Sequence, residues 1–210
     1  MKRSSTALIA VFFAAFLAAG LAGCAVEKGP VTVALKSGIK ESASPSSLRA
    51  IVPGQNLDAI TSYRVLFKKV EIGNSGTDKF TLWESADGEI KDVAHPVTFD
   101  NVQPVMGGTY NYVRVTIGDT LNVDGSVTDA DTGTLVTGSG SCVLNGTVYL
   151  WGTDIENEAG ELTIQAPVTI ASGSAIDIQF AVAGTVKYGS GSAAEAVLAV
   201  SKPVMHLIAE

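Results

Sequence analysis

The sequence predicts an all-β fold, a single antiparallel β-sandwich. From Ile60 onward, short runs of alternating apolar residues are broken by Gly, Asn and Asp, the pattern of paired strands and tight turns. A helical reading fails over the same region because Gly, Thr, Val and Asn are dense and no long stretch keeps a 3.6-residue apolar period. Removing a 23-residue leader from the 210 residues leaves 187, enough for one domain with a sizeable core.

The elements follow in order. Val31 to Leu35 reads as a first strand, and 37–58 as a flexible connection, rich in serine with Pro45, Pro53 and Gly54. Val65 and Phe67 share one parity while Val70 and Ile72 take the other, which predicts a bulge or twist at Lys68 and Lys69. Phe80 and Leu82 follow at strand spacing. Val113, Val115 and Ile117 alternate with Arg114 and Thr116. Leu162 with Ile164, and Val168 with Ile170, flank Pro167. The clearest strand places Ile176, Ile178, Phe180 and Val182 inward, with Asp177 and Gln179 toward water. Ser192 to Ala199 is compatible with a short helix, and Val197–Val200 and Val204–Leu207 close the chain. Gly138-Ser-Gly140 and Gly189-Ser-Gly-Ser192 read as turns.

Ahead of this domain lies a cleaved lipoprotein signal peptide over 1–23. Lys2 and Arg3 supply charge, Ala7 to Leu17 an apolar stretch, and small residues lead to the cut. A transmembrane helix needs about 20 consecutive apolar residues, and Gly20, Gly23 and Cys24 close the run early. Leu21, Ala22, Gly23 and Cys24 resemble a lipobox, the signal at which diacylglycerol is attached to the cysteine before cleavage. Residues 24–30 then form anchor and tether, and 31–210 the sandwich. Cys24 is thus the lipidation site, and each buried acyl methylene contributes about 0.8 kcal/mol to membrane attachment. No aspartate follows Cys24 as an inner-membrane retention signal, so in a cell with two membranes the expectation is the outer one.

Loss of a leader with two basic and no acidic residues takes the net charge from −7 to −9. With no basic run and no interleaved aromatics, nucleic acid is not expected as a partner. The partners expected are the membrane, an envelope protein and, in the alternative, a glycan. Cys142 has no second thiol within the domain and reads as a small buried hydrophobe, a reactive thiol or an intermolecular link being the alternatives.

The run Tyr63 to Ile72, the turn and strand Gly108 to Val115, the pair Ile164 to Ile170, the strand Asp177 to Ala183, and Lys202-Pro-Val204 follow one another in a familiar order. Together they resemble an uncharacterised family of bacterial and archaeal lipoproteins, a domain-of-unknown-function family. The resemblance covers about Val31 to Leu207 and implies a transthyretin-like sandwich, an Ig-like one being the alternative. Where that family often has an acidic residue and a proline after the first strand, this chain has Lys36 to Lys40. The resemblance implies no reaction.

The motifs that carry catalysis are missing. There is no nucleophile elbow, His-Glu-x-x-His, P-loop or dinucleotide fingerprint, and His95 and His206 stand far apart without local partners. The chain is therefore expected to be no enzyme and to hold no cofactor, with calcium the one candidate. Two acidic loops, with Asp124, Asp129 and Asp131 in one and Asp154, Glu156, Glu158 and Glu161 in the other, fit either calcium, which takes six to eight oxygens, or solvated hairpin tips. Trp83, Tyr149 and Trp151 fit either a surface for a glycan or protein, where flat rings stack, or the core. The leading expectation is a lipid-anchored envelope module for protein interaction or structure. A glycan- or calcium-binding protein is the alternative, and an enzyme without a recognisable motif comes third.

Overall fold

The computed structural model describes residues 29–40, 53–75, 77–129, 131–152, 167–192 and 195–210; the side chains of 148–152 and of Ser192 and Glu195 are outside that description. The described residues form strands and no helix: β1 (Pro30–Val31), β2 (Ala34–Lys40), β3 (Ala59–Gly73), β4 (Lys79–Asp92), β5 (Val97–Thr98), β6 (Val105–Met106), β7 (Gly108–Tyr110), β8 (Tyr112–Thr128), β9 (Leu135–Val143), β10 (Val148–Gly152), β11 (Val168–Ile170), β12 (Ala175–Ala181), β13 (Val186–Ser192), β14 (Glu195–Val200) and β15 (Val204–Ala209). The fold is all-β.

A seven-stranded sheet has the order β13-β14-β9-β8-β3-β4, with β10 also paired to β8; a four-stranded sheet has the order β15-β12-β2-β5. Two short ladders, β1 with β6 and β7 with β11, complete the pairing. The expected purely antiparallel arrangement is corrected at two places: β2 runs parallel to β12, and β9 parallel to β14. Alternation within a strand encodes which face is buried but not the direction of its neighbour. A parallel partner needs a crossover, and between β2 and β12 in sequence lie five strands of the large sheet, β3, β4, β8, β9 and β10.

The two sheets meet through aromatic side chains. Tyr63 and Phe67 of β3 lie 5.8 and 6.0 Å, ring centre to ring centre, from Phe180 of β12. Phe67 also meets Phe99 edge-on at 5.0 Å, a geometry the ring quadrupoles favour. One hydrophobic cluster runs from Val31 to Leu207 and takes residues from both sheets. On β8, Val113, Val115 and Ile117 are buried, and on β12 so are Ile176, Ile178 and Phe180, as their spacing predicts. Asp177 and Gln179 stand on the other face, the amide of Gln179 donating to the Asp177 carboxylate at 2.8 Å.

The bulge expected at Lys68 and Lys69 is present: the register of β3 slips between Phe67 and Lys69 against both β4 and β8. The extra residue switches parity, so Val65, Phe67, Val70 and Ile72 all face the core. A second bulge, not visible in the sequence, lies in β4. Val70 pairs with Trp83 and Glu71 with Thr81, leaving Leu82 as the extra residue. Leu82 and Trp83 are consequently both buried while Phe80 is 50% exposed, which separates two residues that simple alternation puts on one face.

Four local expectations are overturned. The first strand is two pieces, β1 and β2, paired in different ladders. Residues 37–40, assigned to the flexible connection, extend β2, and the Ser37 hydroxyl donates to the Ile178 carbonyl at 2.8 Å. The end of that connection is fastened too: the Gly54 N–H donates to the Tyr188 carbonyl at 2.7 Å and the Asp58 N–H to Ser126 at 2.9 Å. The described part of Ser192 to Ala199 is strand, not helix; Ala196 and Leu198 are buried while Val197 is exposed, a two-residue period imposed by pairing with β13 and β9. Neither glycine pair is a turn: Gly138 and Gly140 lie within β9, and Gly189 and Gly191 within β13, beside a register shift between Tyr188 and Ser190. Leu162 and Ile164 lie outside the described residues.

Candidate functional site

The edge of β4 and the loop after β5 enclose an open polar groove of about 510 Å³, lined by Thr81, Trp83, Glu84, Glu89, Asn101 and Gln103 among others. The β4 bulge builds it. The carbonyl of the extra residue, Leu82, accepts the N–H of Gln103 at 2.7 Å, which docks the loop against the strand. Asn101 takes a left-handed backbone conformation, φ 57°, one that Asn tolerates better than most residues, and its carbonyl accepts the Gln103 side-chain amide at 3.2 Å.

Trp83 lines this groove but is itself buried. It is 5% exposed and packs edge-on against Phe99, with ring centres 5.0 Å apart. The expectation of an exposed stacking surface at Trp83 is therefore corrected: the bulge turns the ring into the core. Tyr149 and Trp151 occupy β10 opposite Val115 and Val113 of β8, but their side chains lie outside the described residues.

The first acidic loop is divided among other tasks. The Asp124 carboxylate on β8 pairs with Arg64 of β3 at 2.9 Å. Asp129, just past β8, shapes the hairpin turn: its carboxylate accepts the N–H groups of Asp131 and Thr132 at 2.9 and 3.4 Å, and its carbonyl accepts that of Gly133 at 2.7 Å. Asp131 is exposed. Five strand positions separate Asp124 from Asp129, about 17 Å at the rise of an extended chain, too far to share one cation. Among the described residues, no three His, Cys, Asp or Glu side chains gather to hold a metal ion. Asp154, Glu156, Glu158 and Glu161 lie outside the described residues, as does Cys24.

Sequence reading missed a charge cluster on the outer face of the large sheet. The Glu71 side chain, 7% exposed, has the Lys69 and Lys79 ammonium groups at 3.4 and 3.3 Å and the Arg114 guanidinium at 3.7 Å. Lys69 also reaches Glu84 at 3.6 Å. These cations come from β3, β4 and β8, and only the register brings them together. A nearly buried carboxylate needs such partners, so the cluster holds β3, β4 and β8 in phase.

Asp92, at the end of β4, fixes the start of β3. Burial raises its carboxyl pKa, but the N–H of Tyr63, the Ser62 hydroxyl, the N–H of Ala94 and the nearby His95 outweigh this and hold it below the ordinary 3.8. The Tyr63 bond is 2.8 Å and the Ala94 bond 3.2 Å. A depressed carboxyl contributes stability above its unfolded-state pKa, and that stability is lost as pH falls through the folded value. Asp92→Asn is therefore expected to lose about 1 kcal/mol at pH 7, the worth of a charge-assisted bond after solvent screening. Thermal melts of both proteins from pH 7 to strong acid should converge below the ordinary carboxyl range; a constant gap would refute the assignment.

Cys142 is partly buried against the core, with its thiol 3.7 Å from the Val143 carbonyl. His95 follows β4, whereas His206 sits opposite Gln179 on β15. No helix among the described residues is long and apolar enough to cross a membrane. Comparison with family models, with curated proteins and with solved structures finds no match.

Proposed function

We propose that this chain is a lipid-anchored envelope protein. It is a β-sandwich of transthyretin-like or Ig-like type held at a membrane by acylated Cys24, at the outer membrane where the cell has two. It works without catalysis, as a protein-interaction or structural module. The observation that carries this reading is the order charge, apolar stretch, Leu21-Ala22-Gly23-Cys24 at the N-terminus. The face-to-face packing of two sheets through Tyr63, Phe67 and Phe180 supports the sandwich. The resemblance to the lipoprotein family of unknown function belongs to the same proposal. The alternative, binding of a glycan or calcium, loses Trp83 as a platform and Asp124 as a shared ligand, and rests on Tyr149, Trp151 and the acids from Asp154 to Glu158.

The anchor is tested by Cys24→Ala in the native host. The variant is expected to keep residues 1–23 and to lose diacylglycerol, read as a larger apparent mass and no incorporation of labelled palmitate. A shortened, palmitate-labelled Cys24→Ala product would sink the proposal.

A further inference from the structure

The fold gathers the start of the described chain and two exposed apolar side chains at one end. Met106 of β6 stands opposite Pro30 of β1, and the N–H of Gly107 donates to the Gly29 carbonyl at 3.0 Å. The Tyr110 hydroxyl donates to the Met106 carbonyl at 2.6 Å, and the N–H of Asn111 to the Gly73 carbonyl at 3.1 Å. Gly73 pairs with Lys79 at the root of the β3–β4 hairpin, one residue from Phe80. Phe80 and Met106 are each 50% exposed. The opposite end is remote: β8 leaves Gly73 at Tyr112 and reaches Thr128, opposite Leu135, after 17 residues, up to about 55 Å of extended chain.

We propose that Phe80 and Met106 form a membrane-seating surface that enters the lipid headgroup layer. This rests on the reading of Cys24 as the acylated residue. Five residue steps separate Cys24 from Gly29, and a polypeptide covers at most about 3.6 Å per step, so the acyl chains hold Gly29 within about 18 Å of the bilayer surface. A large apolar ring and a thioether kept out of the core at the Gly29 end of the fold have the lipid boundary as their nearest apolar medium. An aromatic side chain at such an interface buries its apolar body and adds to the anchor. The far tip, with Asp129, Asp131 and Leu135, then points away from the membrane.

The test uses the full acylated protein in phosphatidylethanolamine and phosphatidylglycerol vesicles, in a Cys142→Ala background. A fluorophore is placed at Phe80→Cys, Met106→Cys or, for reference, Leu135→Cys. Nitroxide lipids are expected to quench the labels at 80 and 106 at least about threefold more than the label at 135, as contact with the lipid boundary requires. Equal, weak quenching at all three on vesicle-bound protein overturns the seating surface and leaves the anchor standing. Labels at 80 and 106 shielded from both lipid nitroxide and aqueous iodide assign this end to a protein contact and also overturn it. Protein that fails to sediment with vesicles overturns the anchor reading and the seating surface with it.

Discussion

Phe180→Asp is expected to abolish the cooperative thermal transition of the domain. Phe180 has no solvent exposure and joins the two sheets, with Tyr63 at 5.8 Å and Phe67 at 6.0 Å. Its truncation to alanine alone costs about 3–5 kcal/mol through lost transfer energy and the cavity left behind. Aspartate adds a buried charge with no cation facing it from β12, whose neighbouring inward residues are Ile176 and Ile178. Such a group costs several kcal/mol more unless it is protonated. Domains are commonly stable by only about 5–15 kcal/mol, so the sum consumes most or all of the margin. Circular dichroism on heating checks this, with Phe180→Leu as the partner variant that keeps a transition at lower temperature. A stable, soluble Phe180→Asp protein would mean that β12 turns its other face to the core.

Gly140→Ala is expected to lower the melting temperature by about 10 °C. A Cβ at Gly140 would lie 2.3 Å from the Leu198 carbonyl oxygen and 2.9 Å from the Leu198 Cβ, so backbone must move. The β13–β14 hairpin therefore has to lift from β9, where Ala196 and Val197 pair with Gly138 and Ser139. Overpacking of this kind costs about 3 kcal/mol, and in a domain of this size each kcal/mol shifts the midpoint by about 2–4 °C. Ser139→Ala, at the exposed position between the two glycines, should stay within about 0.5 kcal/mol of the parent. Equal melting of the two variants would show that β14 does not depend on close approach at Gly140.

The same glycines show what sequence can and cannot reveal. Strand phase was legible in β12 and β3: Ile176, Ile178 and Phe180 alternate with polar residues, and the paired lysines 68 and 69 mark the bulge by a change of parity. Long-range pairing was not. Gly138 and Gly140 look like turn residues because glycine serves both turns and close backbone approaches, and the neighbour that requires them, β14, lies some 55 residues further on. Glu195 to Ala199 includes good helix formers, yet tertiary pairing makes this stretch a strand.

The candidate sites were less legible than the fold, for the same reason. Trp83 carries no local sign that the bulge at Leu82 turns it inward. Asp129 could equally have been a cation ligand or a turn former until its carboxylate was seen to accept two backbone N–H groups of its own loop. The Glu71 cluster draws its cations from three strands, so no spacing announces it. The proposed signal at Cys24 differs from all of these because it is local, carried by the four consecutive residues Leu21, Ala22, Gly23 and Cys24.

That signal is also where the proposal is most exposed. The decisive measurement is the intact mass of the N-terminal peptide from protein isolated with the membranes of its native host. The expected peptide begins at Cys24 and carries a thioether-linked diacylglycerol. A peptide that retains residues 1–23, or one that begins elsewhere with an unmodified Cys24 thiol, would contradict it.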